Sequence, residues 1–246
     1  MMKHYLLTRY NCGLYSGVGF VDKNGNSINC YADKWMEHRF NLFSKVCLPS
    51  IKNQTNQSFD WIVVLDKKTP KHFKEQLEAC KTIRKFKILY DKEEARTVPL
   101  SYIKNDIKDE NCITSRVDND DALHKRFMEI VAQEAEDNMG NAILFANGCY
   151  YDVSQKTMSL HSYPLNPFMS LPNNPSRDKS IVWSVDHGSI GDISKGVFTI
   201  HCQPMWLSTV HLYNRKNTLR GKMVEMQSEI ENYLKNFSIN MELEII

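Results

Sequence analysis

At 246 residues, with 42% hydrophobic and 24% charged residues, the chain is long enough to bury a full core and too apolar to be disordered or fibrous. Its 31 basic and 29 acidic residues leave a formal net charge of +2, which excludes the strong global field that draws nucleic acid or anionic lipid. Seven cysteines, at positions 12, 30, 47, 80, 112, 149 and 202, form no CxxC pair, which argues against a zinc or disulfide framework and for a reducing, cytoplasmic setting.

Tyr5-Leu6-Leu7-Thr8 reads as a short strand, followed by a Gly- and Asn-rich loop or hairpin over 13–29. Asp33 is the expected N-cap of a helix carrying Trp35, Met36, Phe40, Phe43, Val46 and Cys47 near the 3.6-residue period and ending by Pro49. The apolar run from Phe59 to Leu65 stops at Asp66, as expected for a parallel strand covered on both faces. Pro70 opens a helix with Phe73, Leu77 and Cys80 on one stripe, and the strand Phe86-Lys87-Ile88-Leu89-Tyr90 completes a β-α-β alternation. The expected fold class is therefore α/β, with a mostly parallel sheet flanked by helices.

Ile113-Thr114-Ser115-Arg116-Val117 is a further strand that runs directly into Asp118-Asn119-Asp120-Asp121, after which Leu123, Phe127, Ile130 and Val131 mark a helix. Strands are expected again at Ile143-Leu144-Phe145, Ile181-Val182-Trp183 and Val197-Phe198-Thr199-Ile200, separated by turns rich in proline. A closing helix from Thr218 onward carries Leu219, Met223, Met226, Ile230 and Tyr233. Basic residues are densest at Arg84-Lys85-Phe86-Lys87 and at Arg215-Lys216 with Arg220 and Lys222, which are either solvated surface or the footprint of a polyanion. The N-terminal apolar run is too short for a signal peptide, and no stretch of about 18 apolar residues is present to span a bilayer.

In an open α/β sheet, ligands bind outside the carboxyl ends of the strands, which is where 118–121 falls. Three carboxylates in four residues repel one another unless a cation is present, and Mg²⁺ or Mn²⁺ accepts carboxylate oxygens together with substrate phosphates. A metal-diphosphate site is one reading; the other is that these aspartates cap the helix that follows. The missing Gly and terminal Glu exclude an EF-hand loop.

Ser115-Arg116-Val117-Asp118-Asn119-Asp120-Asp121-Ala122-Leu123 resembles the DxDD signature of GT-A glycosyltransferases, in particular a rhamnosyltransferase-type family. Trp35 with Arg39, Leu48-Pro49-Ser50-Ile51, Phe59-Asp60-Trp61, Asn166-Pro167-Phe168 and Gln203-Pro204-Met205-Trp206 with His211 and Asn214 are similar to that family in the same order. The resemblance implies one GT-A type, Rossmann-like domain over 1–246, with a nucleotide-sugar-binding half (1–121) and a loop-rich acceptor half ending in a helix (122–246). It implies Asp120 as principal metal ligand, Asp118 beside the metal or the donor ribose, and His211 either completing the metal shell or buried as a structural residue. By position in such a domain, Thr8, Arg9, Tyr10 and Asp66 line the base and ribose pocket, although Tyr10 equally suits packing and Asp66 a helix cap. Arg116 either binds phosphate or anchors the loop. His201 is expected to be structural.

An inverting transfer needs a base for the acceptor hydroxyl while Mn²⁺ or Mg²⁺ stabilises the departing diphosphate. Asp186, expected just after a strand, is the first candidate and Asp192 the second; turn chemistry explains either. The expected activity is hexosyl or pentosyl transfer from a nucleotide-sugar to a surface polysaccharide, in the cytoplasm or at the inner membrane face. The alternatives are a phage- or virus-type enzyme glycosylating DNA bases in an infected host and a non-catalytic sugar- or nucleotide-binding module.

Overall fold

The computed structural model describes residues 2–11, 25, 27–91, 97–214 and 217–240. Most of the expected loop at 13–29, Cys12 and the Arg215-Lys216 pair lie outside the described residues.

The first half runs β1 (Lys3–Arg9), α1 (Asp33–Leu42), a π-helical stretch (Phe43–Cys47), α2 (Leu48–Lys52), β2 (Asp60–Asp66), α3 (Lys71–Cys80), β3 (Lys87–Asp91), α4 (Thr97–Ile107) and β4 (Cys112–Asp118). The second runs β5 (Ala122–Leu123), α5 (Phe127–Glu134), β6 (Asn141–Phe145), β7 (Asn147–Asp152), β8 (Thr157–Ser162), β9 (Ser170–Asn173), α6 (Pro175–Asp178), a 3-10 helix (His187–Asp192), β10 (Gly196–Ile200), β11 (Trp206–Val210), β12 (Lys222–Met223) and α7 (Gln227–Asn236).

Seven strands form a mixed, mostly parallel sheet in the order β10-β6-β9-β4-β1-β2-β3. The strands β1 to β4 run parallel to one another, and β9 inserts antiparallel between β4 and β6. Along β2 the side chains divide by alternation: Trp61, Val63 and Leu65 join a core with α1, α3 and α5, whereas Ile62 and Val64 join one with α4. Both faces are covered, as a continuous apolar strand demands.

A second sheet, in the order β12-β8-β7-β11-β5, departs from the single sheet expected. Its strands β7 and β8 form an antiparallel hairpin, and its inner face packs on Leu42, Val46 and α7. Trp206 of β11 joins the two layers: its ring stacks on Phe168 at 5.3 Å and its indole N–H donates to the Phe145 carbonyl at 3.0 Å.

Several expectations need correction. Asp33 lies in the first helical turn and Ala32 is the N-cap. Pro49 does not stop the helix, because Leu48 donates its N–H five residues back to Phe43 and the widened turn leads the chain into α2 with Pro49 in its first turn. Leu123 belongs to β5, and α5 is capped at Arg126, so the 118–121 cluster does not cap a helix. Ile181, Val182 and Trp183 form a buried turn rather than a strand, held where the Val182 N–H donates to the Thr114 hydroxyl at 3.0 Å. Met223 lies in β12, and the closing helix begins only at Gln227.

Gly148 of β7 lies in register with Trp206, and a Cβ there would run into the indole ring. The ring cannot retreat from Phe168 without losing its hydrogen bond. Gly148→Ala is therefore expected to destabilise the fold by about 1–3 kcal/mol and lower Tm by about 3–10 °C. Gly188→Ala, which meets nothing within 4 Å, is the control and should melt with the wild type.

Candidate functional site

The acidic turn stands at the carboxyl end of β4, where the chain leaves the large sheet and enters the small one through β5. The turn closes where the Asp121 N–H donates to the Asp118 carbonyl at 3.2 Å. Strand β11 fastens it from the side, because the Thr209 N–H donates to the Asp121 carboxylate at 3.0 Å and its hydroxyl to the Asp120 carbonyl at 2.9 Å.

Each carboxylate has its own partner. Asp118 faces Arg9, from the end of β1, at 3.3 Å, and Arg116, two residues earlier on its own strand, at 3.8 Å. Asp120 is buried and paired with Arg39 of α1, which also donates to the Asn119 side-chain carbonyl at 3.3 Å. Arg39 lies on the inward face of α1 with Trp35, Met36 and Leu42, its guanidinium 5.1 Å from the Trp35 ring centre. Burial pushes the Asp120 carboxyl up, but the Arg39 charge and the His211 hydrogen bond outweigh it and hold it below the usual carboxylate range. Burial, then the charges of Asp120 and Asp118, push Asp121 well above that range.

His211, just past β11, brings Nε2 to 3.0 Å from the Asp120 carboxylate. Its Nδ1 lies 3.2 Å from the Tyr213 backbone nitrogen and 3.1 Å from His38 Nε2 of α1, and its Nε2 lies 2.9 Å from the Asn214 side-chain amide. Burial lowers the His211 pKa despite the carboxylate. Asn214 steadies it, accepting the His211 backbone N–H at 2.6 Å.

Among the described residues, no group of three His, Cys, Asp or Glu side chains is arranged to hold a metal ion. Asp118 turns instead to its two arginines. The Asp120 and His211 donor atoms, 3.0 Å apart, do have the separation of neighbouring ligands about 2.1 Å from an octahedral cation. That edge fits a small divalent ion whose other ligands come from phosphate and water.

The expected donor residues divide. Arg9, Arg116 and Asp118 come together at the turn. Thr8 is fully buried and its hydroxyl accepts the Trp61 indole N–H at 2.9 Å. Tyr10 is also fully buried, its ring edge-on to Phe43 at 5.7 Å, so it packs the core. Asp66 receives the Lys68 N–H at 2.7 Å, while its own N–H donates to Asn11 at 3.0 Å, as a turn-forming residue.

The two candidate bases are also separated. Asp186 is the exposed N-cap of the 3-10 helix, and the adjacent His187 reaches the Tyr163 hydroxyl at 3.3 Å. Tyr163 is tied to Ala146, just past the carboxyl end of β6 and on the same sheet edge as Asp118. Asp192 lines a cleft with Gly140 and Asn173, and Asn173 pairs with Cys112 at the amino end of β4. At about 3.3 Å per residue, that edge lies roughly 20 Å from Asp118. His201, expected to be structural, is exposed just past β10.

The sequence reading missed Arg39 and His38 as site residues. The signal for Arg39 is a charged side chain inside the apolar stripe of α1, which requires a partner.

Residues 6–223 match the family described as "Putative rhamnosyl transferase". Solved structures similar to this chain include S. aureus TarS 1-349, at 11% identity and a TM-score of 0.49 over 85% of this chain and 60% of that one. S. aureus TarS 1-349 in complex with UDP-GlcNAc is similar at 13% identity and a TM-score of 0.49, over 88% of this chain and 62% of that one. The chain thus spans less than two thirds of either TarS chain. No curated protein matches it.

Removing Arg39 would leave the buried Asp120 without its arginine partner. Arg39→Ala is expected to destabilise the fold by about 3 kcal/mol in chemical denaturation. In Asp120→Asn the same change should cost much less, giving a clear coupling energy in a double-mutant cycle. Additive losses would show that the pair contributes nothing specific.

Proposed function

The chain belongs to the rhamnosyl transferase family, and from that premise we propose that it transfers a sugar from a nucleotide-diphosphate donor to a hydroxyl acceptor, on a GT-A type domain. The observation that carries the reading is the clustering of Arg9, Arg116, Asp118, Asp120 and His211 at the carboxyl end of parallel strands, the ligand-binding edge of such a sheet. Arg9 and Arg116 supply fork-shaped donors for a diphosphate. Asp120 and His211 would hold a Mn²⁺ or Mg²⁺ ion, which would neutralise charge on the leaving diphosphate.

The acceptor hydroxyl loses its proton as its oxygen attacks the anomeric carbon, and the nucleoside diphosphate departs from the opposite face with inversion. Asp186 is the base in this reading, because it is exposed and stands on the Asp118 edge. The acceptor class is a glycan hydroxyl of a surface polysaccharide. Among the described residues no helix is long and apolar enough to cross a membrane.

One nucleoside diphosphate among UDP, GDP, CDP and dTDP, with Mn²⁺, is expected to raise Tm by about 5–10 °C when present at roughly a hundred times its Kd. EDTA should remove most of that shift, and Asp120→Asn should lower transfer about a hundredfold. A protein whose melting ignores every nucleotide would refute the donor site.

Asp186→Asn should cut kcat by about 10²–10⁴-fold while leaving the nucleotide-induced shift intact. Asp192→Asn, on the far edge, should transfer normally. The opposite pattern would move the acceptor site to the Asp192 cleft.

A further inference from the structure

At the amino ends of β1, β2 and β3, a cleft of about 640 Å³ opens on the edge opposite the acidic turn. Its place follows from the strands, since Lys3, Asp60 and Lys87 are the first residues of β1, β2 and β3. Five cations line it, Lys3, Lys81, Arg84, Lys85 and Lys87, against two carboxylates, Asp60 and Asp106. That surplus of three exceeds the net charge of +2 carried by the whole chain. Even when Glu78, which holds Lys81 at 2.6 Å, is counted, the surplus equals it.

The carboxylates are already engaged. Asp106 accepts from Lys3 and from the Tyr5 hydroxyl, each at 2.6 Å, and Asp60 lies 3.4 Å from Lys3. The excess positive charge therefore belongs to the opposite wall, formed by 81–87.

That wall is built from more than solvated side chains. The Arg84 guanidinium stacks 4.8 Å over the Phe59 ring and donates to the carbonyls of Phe59 at 3.2 Å and Lys85 at 3.1 Å. Its third nitrogen, Nε, is buried without a hydrogen-bond partner. The Lys87 ammonium rests 4.9 Å from the Tyr102 ring centre. An arginine fixed in one orientation, flanked by lysines and aromatic rings in a concave surface, suits a ligand with one phosphate and a ring-bearing body. The volume lies within the ordinary range of small-ligand sites.

We propose that this cleft is a second anion site, taking a phosphate-bearing sugar or nucleotide-sized ligand independently of the acidic turn. Concavity favours a soluble ligand over a flat bilayer, which would touch only the rim. The proposal does not depend on the transferase reading, because no residue of the cleft belongs to that site.

The test is calorimetric titration of the whole chain at low salt with inorganic pyrophosphate and with glucose 1-phosphate. Wild type, Lys85→Glu/Lys87→Glu and Arg9→Ala are compared, with unchanged circular dichroism confirming that each is folded. The double charge reversal should weaken glucose 1-phosphate binding by about tenfold or more, the effect of losing one charge-assisted hydrogen bond, while Arg9→Ala, which removes a diphosphate contact at the acidic turn, leaves the glucose 1-phosphate affinity unchanged. Wild-type affinity in the double variant, or loss of all binding in Arg9→Ala, would overturn the proposal by placing the anion at the acidic turn. A chain that ignores both probes and binds only phosphatidylglycerol vesicles would overturn it as well, making the cleft part of a membrane-facing surface.

Discussion

Placing three carboxylates within four residues of a mostly buried turn is the constraint on which the arrangement of this protein depends. Such a cluster persists only if each charge meets a cation or a donor, or is neutralised by its surroundings. The chain meets the requirement from separate elements: β1 and β4 supply arginines to Asp118, α1 supplies Arg39 to Asp120, and β11 supplies Thr209 and then His211. The turn is thus where the large sheet, the small sheet and the first helix are joined. Burial of the Asp120–Arg39 pair says little for its net contribution to stability, since desolvation offsets much of the attraction. Its importance lies in orientation, because Arg39 and His211 fix the carboxylate from two directions.

The legible part of the fold was the part built from continuous apolar runs. Strands β2, β4 and β6 each coincide with such a run, because a strand covered on both faces has no polar side to confuse the pattern, while the edge strands β3 and β10 coincide with apolar runs although Tyr90, Val197 and Phe198 are exposed. The same rule misled at 181–183, where Ile181, Val182 and Trp183 fill a buried turn over the α4 face of the sheet. The small sheet left a weaker trace: Asn147-Gly148-Cys149-Tyr150-Tyr151 and Leu207-Ser208-Thr209 mix polar and apolar residues without strict alternation. Helix α4 went unread because Thr97 and Pro99 open it and only Ile103 and Ile107 among its later residues are deeply buried.

At the site, sequence order decided what was visible. Asp118 to Asp121 stand together in the chain, and Arg9 and Arg116 occupy strand ends where donor groups are expected. Arg39 lies 81 positions before Asp120, and only the packing of α1 against the turn pairs them. Thr8, Tyr10 and Asp66 are the complementary case, since Tyr10 equally suits packing and Asp66 a helix cap. They occupy the correct strand ends, but alternation and local hydrogen bonding direct their side chains into the protein.

Parallel strands also give the sheet two ends that need not share chemistry. At the carboxyl ends, negative charge is concentrated and then matched by arginines; at the amino ends, Lys85, Arg84 and Lys87 remain in excess of the carboxylates beside them. A seven-residue strand separates the two by roughly 20 Å, more than twice the screening length of about 8 Å at physiological salt. Charge at one end therefore does little to the other through solvent, and the cations of the far edge cannot serve as counter-ions for the acidic turn. The turn needs Arg9, Arg39 and Arg116 of its own, which is why these three arginines converge on so short a segment.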